Sequence, residues 1–216
     1  WSSLIAAMVN YWHKGSYEAV KEMAEHTFQE GRLVCFYEEQ DRCYKPYDSL
    51  GIMRNFAYMT AIREGFENIL YVDNDVLPPK DALLKLLARQ VPIVTPLVRY
   101  TDGDDHGIGL AKTKQGQGLA MVSSVILSFL LFRTEVFFPR ATTPFWQDAL
   151  GADESYHFMR LAMTGHRPFV DTDLIVECQS PPHFPFDHVN RTLDDLKPMS
   201  NETAPLPPNI SLWRPR

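Results

Sequence analysis

Over the first hundred residues, short apolar runs alternate with stretches of helical period, and this alternation confines the chain to few folds. Leu4-Ile5-Ala6-Ala7-Met8-Val9 predicts a strand over 3–10. Ala19, Val20, Met23, Ala24 and Phe28 then recur at helical spacing and stop at Gly31. Leu33-Val34-Cys35-Phe36-Tyr37 predicts a second strand over 32–39, and a second helix is expected over 47–65 with Asp48 or Ser49 as N-cap. A third strand over 68–72, a helix over 80–90 and a strand over 91–98 follow. Such alternation predicts an α/β fold with a parallel, doubly wound sheet.

The second half has another texture. Residues 101–118 hold five glycines with Asp102, Asp104 and Asp105, and predict a surface loop or loose hairpin of the kind that serves as a lid. Residues 121–133 are apolar and predict one buried strand. Residues 139–151 are irregular around Trp146, 153–165 are expected as a helix, and 169–178 as a final strand. Beyond Gln179 the chain is proline-rich and is expected to wrap the surface or be partly disordered.

At 216 residues the chain has enough sequence for one domain with a substantial core. A net charge of −6 without a basic stripe argues against nucleic acid as a partner. The longest apolar run, 122–132, contains three serines and is too short for a membrane span. No signal peptide is visible, and a chain opening at Trp1 is expected to continue from a longer one, whose flanking segments could associate with a membrane. Three cysteines (Cys35, Cys43, Cys178) do not suggest a disulfide framework, which favours a cytoplasmic setting. Three glycosylation sequons, at Asn190, Asn201 and Asn209, keep a Golgi-like secretory lumen open as the alternative.

Chemistry concentrates at Asp73-Asn74-Asp75, which closes the run Ile69-Leu70-Tyr71-Val72. Two carboxylates two residues apart at a strand's carboxyl end can share a hard divalent cation. In open α/β sheets that end is also where ligands bind. Four features occur in the order found in GT-A-type glycosyltransferases: a first strand ending at Asn10, a second ending in acidic residues, Arg54-Asn55 in the next helix, and the Asp-X-Asp itself. Downstream, Asp153-Glu154 followed by Arg160 and Gly165 resembles the acidic-pair helix of the inverting members. The chain therefore resembles the GT-A glycosyltransferases over 3–183.

The resemblance implies a GT-A-like, Rossmann-type, mostly parallel sheet flanked by helices. It implies a catalytic domain over 1–183, with a nucleotide-binding half over 1–98, an acceptor half over 99–183, and a tail over 184–216. The implied activity is metal-dependent transfer of a sugar from a UDP- or GDP-linked donor to a hydroxyl of a glycan, protein or lipid, with inversion. Manganese is the implied ion, with magnesium as the alternative. It would be held by Asp75, by Asp73 directly or through water, and by a third ligand. Family members place a histidine just after the last strand, where this chain has Cys178. His183 is preferred over that thiol because imidazole suits manganese better, with His188 behind it. Glu154 is the implied base and Asp153 its neighbour, although acids at a helix start also complement its dipole. Asn10, Glu39 (or Asp41), Arg54, Asp73 and Asn74 are the implied nucleotide contacts. Trp146, Lys112 and Lys114 are further candidates for the acceptor and the diphosphate, against the plainer roles of packing and solvation.

Three other readings compete. A phosphatase of the haloacid-dehalogenase type needs its Asp-X-Asp near the chain start and a different following residue from Leu77. A nucleotidyltransferase would show a glycine-rich, basic signature after its first strand, which 8–15 does not supply convincingly. A non-catalytic sugar- or nucleotide-binding module is the third, motivated by Cys178.

Overall fold

The computed structural model describes residues 2–9, 12–40, 48–100, 115–122, 125, 127–136 and 165–179, with backbone alone at 8, 9, 37–40, 48–53 and 100. The chain begins with β1 (Ser2–Val9), α1 (Ser16–Gln29), β2 (Leu33–Gln40), α2 (Asp48–Arg63) and β3 (Asn68–Asp73). The short β4 (Val76–Leu77), α3 (Ala82–Ala88) and β5 (Ile93–Tyr100) follow. Next come β6 (Leu119–Met121), β7 (Phe129–Arg133), a single 3-10 turn (Thr134–Val136) and β8 (Phe169–Cys178). Among the described residues, no helix is long and apolar enough to cross a membrane.

The strands form one sheet in the order β2-β1-β3-β7-β5-β8-β4, with β6 also on β8. β1 pairs in parallel with β2 and β3, and β5 in parallel with β8. β7 runs antiparallel between β3 and β5, while β4 and β6 are antiparallel to β8. Among the described residues, five of the eight strands therefore share one direction, and helices cover both faces.

The strands read as unbroken apolar runs because both faces are covered. In β1, Leu4 and Ala6 pack towards Ala57, Tyr58 and Ala61 of α2, while Ile5 and Ala7 pack towards Val20 and Met23 of α1 and Leu83 and Leu86 of α3. In β3, Ile69 and Tyr71 take the α2 face, and Leu70 and Val72 the other. Leu70 is fully buried, so truncating it to alanine would cost about 2–5 kcal/mol. Gly31, at φ 80°, ends α1 in the left-handed conformation, with its N–H donating to the Phe28 carbonyl at 2.9 Å.

One expectation changes. The predicted strand over 121–133 divides into β6 and β7, and Val122, Val125 and Leu127 between them are apolar because they are buried. The sheet is mostly parallel, as the fold class implied, and β7 is the antiparallel strand between β3 and β5.

Candidate functional site

Asp73 closes β3, and Asn74 and Asp75 form the turn into β4. The turn has three backbone ties. The Asp73 N–H donates to the Ser128 carbonyl at 2.8 Å, His13 N–H to the Asn74 carbonyl at 3.0 Å, and Gln179 N–H to the Asp75 carbonyl at 2.9 Å. All three bonds lie within ordinary hydrogen-bond range. β4 then pairs with the end of β8, Val76 opposite Cys178. The acidic turn is thus fixed to β7, to the loop after β1 and to the end of β8.

Behind it lies Arg54 of α2, whose side chain is 4% exposed and whose Nη2 stands 3.9 Å from Asp73 Oδ1; the Asp73 side chain is 29% exposed. The Tyr71 hydroxyl donates to the Arg54 carbonyl at 2.7 Å, fixing this turn of α2 against β3. A guanidinium removed from water favours a nearby carboxylate. Arg54 thus offsets part of the repulsion between Asp73 and Asp75.

The neighbouring loop is held by rings. Trp12 stacks on Phe36 of β2 with centroids 6.2 Å apart and meets Tyr17 of α1 edge-on at 5.5 Å. Glu39 of β2 and Asp73 of β3 both register with Met8 on the intervening β1. With strands about 4.8 Å apart, their backbones are separated by roughly 10 Å. Glu39, Arg54, Asp73, Asn74 and Asp75 therefore belong to one end of the sheet in the described backbone. Asn10, Asp41, Lys112, Lys114, Trp146, Asp153, Glu154, His183, His188 and the three sequons lie outside the described residues.

Cys178 is 2% exposed and packs in the core with Val76, Val98 and Val176. A thiol turned into that apolar layer is directed away from the hard-oxygen environment a divalent ion would use. Among the described residues, no group of three or more potential ligands forms a metal cluster.

A second Asp-X-Asp, Asp171-Thr172-Asp173, went unremarked in the sequence. It sits where β8 bulges: Pro96 registers with Asp171 and Leu97 with Ile175, leaving 172–174 as extra residues. Arg89 Nε and Nη2 donate to the two oxygens of Asp171 at 2.8 and 2.7 Å, and Nη2 also to Asp173 at 2.8 Å. Gly118 N–H adds a bond to Asp173 at 3.1 Å. The Arg89 contact and then this N–H hold the Asp173 carboxyl below the usual carboxylate range, and the paired acids hold Arg89 in its charged form. Here the carboxylates are engaged by the fold.

Sequence reasoning also missed Gln179, whose side-chain amide donates to the Lys14 carbonyl at 2.7 Å. An amide following a strand has no signature that could have found it.

No protein-family model matches the sequence, and no curated protein matches it. Among solved structures, that of A197 from STIV is similar with a TM-score of 0.55 at 11% identity, over 84% of this chain and 95% of that one. The structure of GalNAc-T7 with UDP, GalNAc and Mn2+ is similar with a TM-score of 0.50 at 11% identity, over 83% of this chain and 44% of that chain. The chain thus spans less than half of the GalNAc-T7 structure. At such identity the likeness is one of fold, and that fold is GT-A-like: a mostly parallel sheet flanked by helices, with the acidic turn at the carboxyl end of β3.

Proposed function

We propose that this chain is a metal-dependent glycosyltransferase that moves a sugar from a nucleotide-sugar donor to an acceptor hydroxyl with inversion. One observation carries the reading: in a GT-A-like fold, the carboxyl end of β3 presents Asp73 and Asp75 on a tied turn backed by buried Arg54. The likeness to a structure holding UDP, GalNAc and Mn2+ supports the donor class and the ion.

The donor set fits a hard divalent cation, since both described candidates are carboxylates and the Cys178 thiol is turned into the core. Asp73 and Asp75 would hold it, with His183 as third ligand. When bound, manganese or magnesium supplies positive charge to the diphosphate as it leaves. Arg54 orients Asp73 and limits the negative charge at the turn. Glu39 and Asn10 would receive the nucleoside, with Asn74 beside it. Glu154, next to Asp153, would take the proton from the acceptor hydroxyl. Residues 1–183 would form the catalytic domain.

The reading is tested by thermal stabilisation against UDP- and GDP-sugars, with and without Mn2+. Stabilisation by one nucleotide family only with metal is expected, and Asp75→Asn should remove it. The same shift in that variant would sink the metal assignment. Glu154→Gln should keep donor binding and lose transfer.

A binding module without turnover is the second reading, favoured by the burial of Cys178 at the position where a metal-binding histidine was expected. Slow metal-dependent hydrolysis of the donor in the absence of acceptor would exclude it.

A further inference from the structure

We infer that Gln179 is a positioning residue for the acidic turn, tying it to the loop that follows β1. The inference rests on the proposed function for what the turn binds. Its structural part stands independently.

Gln179 is the first residue beyond β8, and both its main chain and its side chain are engaged. Its N–H donates to the Asp75 carbonyl at 2.9 Å. Its Nε2 donates to the Lys14 carbonyl at 2.7 Å and also meets Ser16 Oγ at 3.3 Å. Ser16 is fully buried at the start of α1, and its N–H donates to the His13 carbonyl at 3.1 Å. His13 N–H in turn donates to the Asn74 carbonyl at 3.0 Å. These bonds close a ring through Asn74, His13, Lys14, Gln179 and Asp75, joining three segments far apart in sequence.

The ring acts on geometry. The Asp75 carbonyl fixes the peptide plane that follows the carboxylate, and the Asn74 carbonyl fixes the one before it. With both held, the direction of the Asp75 side chain is narrowed to its own rotamers. The Lys14 carbonyl is available because the chain reverses at Gly15, φ 83°, a conformation that an L side chain resists. A glutamine suits the position because its carboxamide has two donor hydrogens, whereas glutamate would place an acceptor against the Lys14 carbonyl. The bonds to Lys14 and Asp75 are made to backbone carbonyls, so through them Gln179 acts on the backbone of the turn.

The test compares Gln179→Met, which keeps length and backbone N–H but removes the donor, with Tyr58→Phe. The latter removes the bond from the Tyr58 hydroxyl to the Thr134 carbonyl, 3.2 Å long, at the opposite end of β3. Tyr58→Phe should lower Tm by about 2–4 °C, the effect of losing one hydrogen bond in a protein of this size, and Gln179→Met by at least as much. Amide exchange at His13, whose N–H donates into the acidic turn, should quicken several-fold in Gln179→Met and stay unchanged in Tyr58→Phe. Binding of UDP or GDP with Mn2+ should weaken about tenfold in the first variant only, a change worth about 1.4 kcal/mol. Unchanged His13 exchange in Gln179→Met overturns the inference whether or not any ligand binds. Faster exchange with unchanged metal–nucleotide binding overturns the link between the tie and the site. If the wild type binds no nucleotide with Mn2+, the proposed function fails, and the exchange result alone decides whether Gln179 holds the turn.

Discussion

Asp73-Asn74-Asp75 and Asp171-Thr172-Asp173 share a spacing and a setting on an apolar strand, yet they meet different surroundings. At the first, Arg54 Nη2 stands 3.9 Å from Asp73 Oδ1. At the second, Arg89 makes three bonds of 2.7–2.8 Å across both carboxylates, and Asp171 is 1% exposed. The first turn ends a strand, so its side chains lie at the sheet's edge. The second sits inside a bulge, where the backbone of Gly116 to Gly118 and the end of α3 close around it. What marks the second motif as a structural clamp is therefore the guanidinium that bridges both of its carboxylates.

The contrast is open to attack at several points. The largest effect is expected from Arg89→Ala. Asp171 would be left buried without its guanidinium, and stability should fall by about 2–4 kcal/mol in denaturant unfolding. This is somewhat below the ~3–5 kcal/mol typical of a fully buried pair, because the Arg89 side chain is 31% exposed. A loss under about 1 kcal/mol would remove the distinction between the two motifs.

At the other motif, Asp75→Asn should change Tm without ligand by less than the loss of one buried bond. Mn2+-dependent nucleotide affinity should drop about a hundredfold, or roughly 2.7 kcal/mol, by calorimetric titration. A large Tm loss with intact affinity would reverse the roles assigned to the two motifs.

Arg54→Met sharpens the comparison through opposite signs. Removing the charge behind Asp73 should leave Mn2+ alone bound as tightly or more so, while affinity for the anionic nucleotide falls about threefold. Parallel losses in both would mean that Arg54 serves chiefly to pack α2 against β3.

The smallest effect concerns pH. The Asp173 carboxyl is held below its ordinary value by Arg89 and the Gly118 N–H. Its folded-state pKa is thus lower than its unfolded one, so its stabilisation is present above about pH 4 and is lost as pH falls through the folded value. Asp173→Asn should accordingly flatten the fall of Tm with acid below about pH 4 and leave the plateau near neutrality little changed. An identical acid limb would show that the Asp173 contact is too exposed to matter.

Much of the first half was legible. β1, α1, β2, α2 and β3 lie where apolar runs and helical spacing predicted them, to within a residue or two at each end. Each is a local pattern reinforced by burial on both faces. Strand direction was less accessible. Phe129 to Arg133 is apolar enough for any central strand, and nothing local says that it runs antiparallel between β3 and β5. β4 escaped notice because two residues carry no period, although they bring the acidic turn to β8. At the site, Asp73 and Asp75 were readable as chemistry at a strand end. Gln179 was not, because its partners Lys14 and Asp75 become neighbours only through the sheet order.

Cys178 shows the same division. In sequence it occupies the place of an expected metal ligand. In the fold, three extra residues in β8 exchange the faces of the strand: Val170 packs on the α2 side, while Val176 and Cys178 pack on the α1 and α3 side. An odd insertion turns every later side chain over, since strand period is two. The sequence alone determined the alternation of elements, the two-sided core and the acidic pair at the end of β3, because each depends on residues near one another in the chain. Only the tertiary structure decided which Asp-X-Asp is clamped, where Cys178 points and what Gln179 ties together. Those outcomes depend on which distant backbone and side-chain groups come within about 3 Å, and that distance is set by sheet order, register and bulge.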